Sequence, residues 1–385
     1  MITITTPDGL AAFCERAAKA PYVTVDTEFL RERTYYAKLC LVQLAIPGDA
    51  EEDAVLVDPL VKGMNLDALY ELFKNKDVVK VFHASRQDLE IFFIEGGVIP
   101  QPLFDTQVAA MVAGFGEQVG YETLVRKIAN ASLDKSSRFT DWSRRPLSDA
   151  QKTYALGDVT HLRVIYEHLE EALEKSGRRN WVEEEIGVLL DPATYVVEPP
   201  EAWKRVKTRT NSGKFLGIVQ ALAEFRETHA RDKNIPRNRV MKDDALLELA
   251  STKPKSLQDL SRSRLLLREA RKGDVAEGIL AAVQKGLNMP AENAPKPDRS
   301  RDKLQVNPAL ADLLRVLLKA KSEKLGVAQK LIATSADLDE IAAGQRDGQA
   351  LKGWRKTAFG DAALQLCEGK LGLRANGSKV EAFEL

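Results

Sequence analysis

The first hundred residues contain four short apolar segments that are rich in β-branched side chains and bounded by turn residues. These segments are 22–29, 38–46, 54–59 and 78–84. Between the last two, leucines at helical spacing predict a helix over 66–75. Strand segments connected through helices favour a mixed α/β domain over an all-helical one for this part of the chain. Beyond residue 85 the pattern is mostly helical, and a long helix is predicted over 148–175.

Two stretches without clear periodicity divide the remainder of the chain. We predict an α/β domain over 1–195, a basic linker over 196–213, a helical domain over 214–287, a proline-containing linker over 288–303 and a second helical domain over 304–385. The two helical segments are similar in length, and each begins with a long helix followed by short leucine-rich ones. This similarity indicates two small all-α domains rather than a solenoid.

Composition limits the class of protein. The chain of 385 residues has 44% hydrophobic residues and no run of about 18 apolar residues, so we expect folded domains and no transmembrane helix. Its N-terminus lacks a basic segment followed by an apolar one, which argues against a secretory signal. Three widely spaced cysteines predict a reducing compartment without a disulfide framework, and we therefore expect a cytoplasmic protein.

The net charge of zero hides an asymmetry between the two halves of the chain. Residues 1–200 hold 21 Lys and Arg against 32 Asp and Glu, a net charge of −11, and residues 201–385 hold 35 against 24, which is +11. The acidic half could concentrate carboxylates around a metal ion, and the basic half could attract a polyanion. Ordinary variation in surface composition is the alternative explanation.

Two acidic residues stand close together near the end of the first long strand segment. Asp26 and Glu28 are two residues apart, and the period of a strand places both side chains on one face of the sheet. Two neighbouring carboxylates repel each other unless a cation lies between them. Ligands that are all oxygen favour magnesium or manganese. Solvated acids at the end of a strand are the alternative.

A third acid follows a later strand. The predicted strand within segment 78–84 ends at His83. A helix is predicted to begin near Ser85, a suitable N-cap residue. This places Asp88 in the first helical turn, where it could bind a metal ion or only complement the helix dipole. His83 is a candidate for substrate contact, with a packed or hydrogen-bonded histidine as the alternative.

The long predicted helix carries a tyrosine and a further acid. Tyr154 and Asp158 are four residues apart, so their side chains lie on the same helical face. A surface pair of tyrosine and aspartate is the alternative if this motif is taken alone.

Taken together, the motifs occur in a characteristic order: D-x-E on a strand, an Asp that opens a later helix, and Y-x-x-x-D on a third element. This combination resembles the DEDD exonuclease superfamily, and the tyrosine is typical of its DEDDy branch. The branch that uses histidine would need it five residues before Asp158, where Thr153 stands. The resemblance covers about residues 1–190. It implies a fold of the ribonuclease H type, with a mixed sheet and flanking helices.

The C-terminal half adds a second resemblance. Residues 221–262 resemble the HRDC domain shared by ribonuclease D and RecQ-type helicases, and residues 307–372 resemble a diverged HRDC domain. An exonuclease domain of the DEDDy type followed by two HRDC-like domains resembles the bacterial ribonuclease D family over nearly the whole chain. That family implies a 3′–5′ exoribonuclease that acts on tRNA precursors and other structured RNAs and releases nucleoside 5′-monophosphates.

The resemblance also implies roles for the acidic residues. Asp26, Glu28, Asp88 and Asp158 would hold two divalent ions, Mg²⁺ or Mn²⁺, as in two-metal phosphodiester hydrolysis. Tyr154 would orient the attacking water, because a phenol with a pKa of about 10 is a poor base at neutral pH.

Contacts with RNA are predicted at two further places. Phe29 follows Glu28 and could stack on the terminal base, although a core position explains it equally well. A basic cluster where the first linker joins the first helical domain could contact phosphates, with solvated linker charge as the alternative. Its members are Lys204, Arg205, Lys207 and Arg209.

Two other functions fit the same motifs. A DNA 3′–5′ exonuclease of the same superfamily would use the same carboxylates, because a metal-held phosphate does not distinguish ribose from deoxyribose. A nucleic-acid-binding protein without catalysis would keep the fold, but it would be expected to lack at least one carboxylate. We expect RNA as the partner, and neither a membrane nor an obligate protein partner.

Overall fold

The computed structural model describes residues 1–134, 136–208, 210, 212–296 and 304–385. Contacts between residues divide the chain into two compact units. The first unit comprises 1–28, 41–191 and 300–385, and the second comprises 29–40 and 192–299. The chain therefore crosses between the units several times, whereas the sequence analysis predicts domains that follow one another.

The N-terminal part of the chain forms a mixed sheet with flanking helices, as predicted. Its strands are β1 Ile2–Ile4, β2 Tyr22–Leu30, β3 Lys38–Ala45, β4 Ala54–Val57, β5 Val79–Phe82 and β6 Leu103–Asp105. Its helices are α1 Pro7–Ala17, α2 Asp67–Lys74, α3 Arg86–Gly96, α4 Thr106–Val112, α5 Tyr121–Leu124, α6 Asp149–Ser176 and α7 Arg179–Ile186. Short 3₁₀ turns lie at Glu51–Asp53, Gly187–Leu190 and Pro192–Thr194, and a π-helical turn at Val125–Ala129.

The strand order in the sheet is β1-β4-β3-β2-β5-β6. Strands β2 and β5 are parallel, as are β5 and β6 and also β1 and β4, whereas β3 and β4 are antiparallel. Strands β1 and β6 are not predicted from the sequence, because each has only three residues and is defined by its pairing with a longer neighbour.

The centre of the sheet holds the long helix α6 in place. Thr24 in β2 is fully buried, and its hydroxyl oxygen lies 2.9 Å from the carbonyl oxygen of Val159 in α6. A capping box starts this helix: the Ser148 hydroxyl accepts a hydrogen bond from the Gln151 amide, and the Gln151 side chain accepts one from the Ser148 amide. The predicted start of the helix is therefore confirmed, and β2 and α6 are fixed side by side.

In the second unit, a helical bundle has its own core. Its helices are α8 Gly213–Asp232, α9 Arg237–Val240, α10 Asp243–Thr252, α11 Leu257–Ser261 and α12 Gly273–Leu287, with 3₁₀ turns at Pro199–Arg205 and Glu269–Arg271. Leu222, Leu246 and Ile279 are fully buried in this core. Helices α8 and α12 approach closely, since a Cβ atom on Gly286 would lie 2.4 Å from the Ile218 Cα atom.

The segment predicted as a basic linker is partly folded onto this bundle. Ala202 and Val206 are buried in the core beside α8. The apolar residues of the 3₁₀ turn at Pro199–Arg205 face the bundle, but their spacing is not that of an α-helix, so helical periodicity does not reveal them. Arg209 of the predicted basic cluster and residues 297–303 of the predicted second linker lie outside the described residues.

Segment 29–40 belongs to the second unit although it comes from the N-terminal part of the chain. The Tyr35 hydroxyl donates a hydrogen bond to Glu227 Oε1 at 2.5 Å. The Asn234 side-chain oxygen accepts from the backbone amides of Tyr35 and Tyr36, at 3.0 and 3.1 Å. Arg237 lies 3.1 Å from the same Glu227 oxygen, and Glu227 is only 2% exposed. We call these contacts the Tyr35 clamp.

The C-terminal part of the first unit is mainly helical. It contains α13 Pro308–Leu325, α14 Gln329–Ile332, α15 Ser335–Ala342, α16 Gly353–Arg355 and α17 Asp361–Cys367, with a 3₁₀ turn at Gln349–Leu351 and a π-helical turn at Lys356–Gly360. An antiparallel hairpin follows, formed by β7 Leu371–Asn376 and β8 Lys379–Glu384. The hairpin differs from the all-helical prediction for this part of the chain, although Asn376 and Gly377, with φ of +60° at the glycine, provide a strong turn signal.

These C-terminal helices pack on α7 through aromatic and charged side chains. The rings of Trp181 and Trp354 are stacked, with centroids 4.4 Å apart and planes inclined by 14°. The Trp354 indole nitrogen donates to Glu185 at 2.8 Å, and Arg355 forms an ion pair with the same carboxylate.

No helix in the described part of the chain combines the length and the apolar character needed to cross a lipid bilayer. Cys14 and Cys40 are buried, and Cys367 is half-buried.

Candidate active site

Three carboxylates from two elements meet at the centre of the sheet. One ligand oxygen from each of Asp26, Glu28 and Asp158 lies within 4.8 Å of the others. Asp26 and Glu28 both come from β2, and their meeting agrees with the period of a strand. Asp158 comes from α6, which Thr24 holds against β2. We call these three residues the acidic cluster.

A tyrosine is hydrogen-bonded to the cluster. The Tyr154 hydroxyl contacts the Asp158 carboxylate, one helical turn further along α6. The Tyr154 ring packs against Trp142, with centroids 6.1 Å apart, and Trp142 is only 2% exposed. Packing of the ring fixes the direction of the hydroxyl, so it can orient a small molecule bound at the carboxylates.

Asp88 lies close to the acidic cluster but is not part of it. It is in the first turn of α3, and one of its oxygens accepts a hydrogen bond from the Thr27 hydroxyl. Strands β5 and β2 are neighbours and run parallel, so their C-terminal ends lie side by side. Helix α3, which follows β5, therefore begins beside the C-terminal end of β2. The negative charge of Asp88 raises the pKa of Glu28, and the charge of Asp26 raises the pKa of Asp88.

The start of α3 is organised differently from the sequence prediction. Ser85 occupies the N-cap position, but its side chain accepts no hydrogen bond from the helix. Its hydroxyl instead donates to Asp105 Oδ2 at 2.8 Å, and the same carboxylate accepts from the backbone amides of Ser85 and Ala84. Asp105 is 2% exposed, and it holds Ala84 in the left-handed region at φ of +56°. Asp105 therefore fixes the turn from which Asp88 projects.

Crowding of the carboxylates changes their protonation. Burial raises the pKa of Glu28 to about 10, and repulsion by Asp26, Asp158 and Asp88 adds to the effect. Burial also raises the pKa of Asp158 to about 7, although hydrogen bonding to Tyr154 opposes the rise. The pKa values of Asp26 and Asp88 are raised well above the ordinary range, by burial first and then by the neighbouring carboxylates. The cluster therefore carries its full negative charge at neutral pH only if a cation compensates it.

Comparison with known proteins assigns this geometry to a family. Residues 1–174 match the family model described as 3′-5′ exonuclease, and residues 215–283 match the HRDC domain. The ribonuclease D of Jannaschia sp. (strain CCS1) is 65% identical over 383 residues, which cover 100% of this chain and 99% of that relative. The chain belongs to the ribonuclease D family.

Two further members of the ribonuclease D family show how far the similarity extends. The ribonuclease D of Granulibacter bethesdensis is 48% identical over 380 residues, 98% of this chain and 95% of the relative. The crystal structure of Escherichia coli RNase D, described as an exoribonuclease involved in structured RNA processing, matches with a TM-score of 0.81 and 30% identity over 95% of this chain and 98% of that one. Family membership confirms the resemblance drawn from the motifs, and it identifies the chain as an enzyme, a 3′–5′ exoribonuclease.

The residues of the acidic cluster suit the divalent ions expected in the ribonuclease D family. Mg²⁺ and Mn²⁺ prefer carboxylate oxygens, and the cluster offers only such ligands. The raised pKa values agree with this, because three neighbouring carboxylates with little access to solvent are unfavourable in their charged form without a cation. The other predicted metal ligand, Asp88, is close enough to act on the cluster through its charge.

Metal binding to this member of the ribonuclease D family should depend steeply on pH. The metal-free carboxyl groups have raised pKa values and hold protons near neutral pH, and these protons must leave before an ion can bind. We expect Mg²⁺ affinity to rise up to about tenfold per pH unit for each proton displaced, between about pH 6 and pH 9. Calorimetric titration in buffers of different ionisation enthalpy measures the protons released. An affinity that is independent of pH, with no proton release, would contradict the raised pKa values.

The two aromatic residues predicted to contact the substrate, His83 and Phe29, lie in surroundings that differ from each other. The His83 ring nitrogen Nδ1 is 3.0 Å from the Thr106 hydroxyl, and the ring lies 5.4 Å from that of Tyr121, so His83 makes the contacts of a packed histidine. Phe29 is half-buried in the last part of β2, with the Arg31 guanidinium 5.9 Å from its ring centroid. Their contact with RNA stays a prediction.

The basic cluster lies in the second unit. Lys204, Arg205 and Lys207 are exposed, and Lys204 forms an ion pair with Glu201. Exposure is compatible with contact to phosphates, which stays a prediction for these three residues.

Several residues near the acidic cluster are not predicted from the sequence of this family member. The positive charge of Arg138 opposes the rise in the pKa values of both Glu28 and Asp158. The Tyr121 hydroxyl donates to the carbonyl oxygen of Gly157 at 2.9 Å, which ties α5 to the turn of α6 that carries Asp158. No local motif marks these residues, because their contacts arise only in the folded chain.

Proposed function

We propose that this chain removes nucleotides one at a time from the 3′ ends of tRNA precursors and other structured RNAs and releases nucleoside 5′-monophosphates. The observation that carries the proposal is the convergence of Asp26, Glu28 and Asp158 within 4.8 Å, with the Tyr154 hydroxyl on Asp158. Its setting in a 3′–5′ exonuclease domain supports the direction of hydrolysis.

The acidic cluster and Asp88 would hold two divalent ions, which lower the pKa of the attacking water and neutralise charge on the phosphate that is cleaved. The protein residues supply orientation. Tyr154 is a hydrogen-bond donor beside Asp158 and would direct the water toward the phosphorus. Burial and the neighbouring carboxylates raise the pKa of Tyr154, which favours a role as hydrogen-bond donor over a role as base.

The choice of structured RNA as substrate rests on two observations. The relative from Escherichia coli is described as an exoribonuclease involved in structured RNA processing. The basic half of this chain, with a net charge of +11 over residues 201–385, suits a polyanion that extends beyond the active site.

Digestion of one tRNA precursor labelled at either end tests the proposal. With Mg²⁺, the 3′ label should appear at once as a mononucleotide, and the 5′-labelled RNA should shorten in single-nucleotide steps. A 3′-labelled fragment longer than one nucleotide would indicate endonucleolytic cleavage and would overturn the proposal. A matched single-stranded DNA should be digested more slowly, and equal rates would favour the DNA exonuclease. Binding without turnover would favour the non-catalytic protein.

Replacement of Tyr154 by Phe should lower turnover by about 100-fold and leave KM within about threefold of the wild-type value. The ring keeps its packing against Trp142, and only the hydroxyl that orients the water is lost. Single-turnover kinetics on a short RNA measures the effect. Tyr166→Phe is a matched control, because Tyr166 is on the same helix but packs against Tyr22 and Phe104. Equal effects of the two substitutions would remove Tyr154 from its proposed role.

A further inference from the structure

The most exposed large apolar side chain in the described part of the chain is Phe139, which is 90% exposed. A phenyl ring in this environment buries almost no surface on folding and so contributes little to stability. It is also unfavourable for solubility. Folding therefore does not explain a phenylalanine at this position.

The loop around Phe139 is anchored to the protein on its C-terminal side. The Thr140 hydroxyl donates to the carbonyl oxygen of Ser137 at 2.7 Å, and the Gln151 side chain donates to the Thr140 hydroxyl at 3.0 Å. Ser137 is only 4% exposed. Phe139 is thus an exposed ring on a loop that is fixed to the first turn of α6.

This loop lies beside the acidic cluster. Gln151, which holds Thr140, precedes Asp158 on one helix by a rise of about 10 Å. Two residues after Thr140, Trp142 packs on the Tyr154 ring. The charge of Arg138, the residue before Phe139, acts on Glu28 and Asp158. Phe139 is therefore near the place where the 3′ end of a substrate would enter.

The chemistry of the surface indicates the ligand. The Arg138 guanidinium carbon lies 5.2 Å from the Phe139 ring centroid, which brings positive charge to an exposed aromatic face. Single-stranded nucleic acids bind to this combination, because bases stack on the aromatic ring and phosphates are attracted by the charge. We propose that Phe139 is a stacking platform for a nucleobase in the single-stranded 3′ segment of the RNA. The inference rests on the proposed exoribonuclease function.

A test compares the full-length wild-type protein with Phe139→Ala and Phe139→Trp. The substrate is a single-stranded oligoadenylate of ten nucleotides, and release of 5′-AMP with Mg²⁺ gives kcat and KM. We expect Phe139→Ala to raise KM by about 5- to 30-fold, with kcat changed less than about threefold, because stacking of one base contributes to binding and not to the chemical step. Phe139→Trp should restore the wild-type KM.

Abasic substitution identifies the stacked base. One abasic nucleotide is introduced at each position in turn from the 3′ end. In the wild-type protein, an abasic nucleotide at one position should raise KM by about the same factor as Phe139→Ala does. In the Phe139→Ala variant, an abasic nucleotide at that position should raise KM no further. An unchanged KM in Phe139→Ala, or abasic effects that add fully at every position, would overturn the inference.

Two controls separate this inference from the proposed function. Val188→Ala removes another exposed apolar side chain, 67% exposed, and should leave KM unchanged. The same oligonucleotides are also bound to chains that carry Asp26→Asn, with fluorescence anisotropy as a readout that needs no hydrolysis. If the wild-type protein releases no nucleotide, the proposed function fails, and the anisotropy series still decides whether Phe139 stacks on a base.

Discussion

Replacement of Asp26 by Asn should lower exoribonuclease turnover by about 1,000-fold or more while the fold is retained. Asp26 is a proposed metal ligand in the acidic cluster, and an amide of the same shape supplies no negative charge. Steady-state release of nucleotides from a short RNA with Mg²⁺ measures the loss, and circular dichroism checks the fold. Asp49→Asn, at an exposed acid outside the cluster, is the matched control and should be fully active. More than a few per cent of residual activity would contradict the role of Asp26.

The same substitution should stabilise the metal-free protein. Burial and repulsion by Asp158 raise the pKa of Asp26 in the folded state above its value in the unfolded chain. Its contribution to stability is therefore complete at low pH and is lost as the pH rises through the folded-state pKa. An asparagine side chain at this position does not titrate, so we expect the metal-free variant to melt about 3 °C higher near pH 8, with a smaller difference near pH 4. A lower Tm at pH 8 would contradict the raised pKa.

Replacement of Glu227 by Ala should lower the free energy of unfolding by about 2–3 kcal/mol. Glu227 is 2% exposed and accepts from both the Tyr35 hydroxyl and Arg237, so its removal leaves two donors without their acceptor. Segment 29–40 continues directly from Glu28, and we expect the loosened Tyr35 clamp to lower kcat on a short RNA about tenfold. Urea unfolding and single-turnover kinetics measure the two effects.

Two matched variants test the Tyr35 clamp. Tyr35→Phe removes one hydrogen bond but keeps the ring, and it should cost about 1 kcal/mol. Glu224→Ala removes an ion pair with Lys285 on the solvent side of α8 and should cost less than about 1 kcal/mol, with full activity. If Glu227→Ala changed only stability, segment 29–40 would have no influence on the geometry at Glu28.

Local sequence patterns were sufficient to predict the parts of the site that depend on a single element. The spacing of Asp26 and Glu28 follows from the period of a strand, and that of Tyr154 and Asp158 from the period of a helix. The motif order then linked these elements through a family resemblance. Strand pairing between β2 and β5, which brings α3 beside β2, cannot be derived from either period, because it is a contact between distant parts of the chain.

The residues that were missed depend on tertiary structure. Thr27 contacts Asp88, and Asp105 fixes the Ser85 turn, only because three strands lie side by side in the sheet. The prediction of Ser85 as a capping residue was wrong in its hydrogen bonding for the same reason. A buried carboxylate from a neighbouring strand competes more effectively for the serine hydroxyl than the helix does.

The order of the chain in the first unit has a consequence for biosynthesis. Trp181 and Glu185 of α7 pack against Trp354 and Arg355, which are made much later. At about 5–20 residues per second, the ribosome adds the C-terminal partners roughly 10–40 s after α7. During this interval the nascent chain presents an incomplete first unit with Trp181 uncovered. Chains interrupted before residue 354 lack the ring that stacks on Trp181, so they should expose more aromatic surface than the complete chain does.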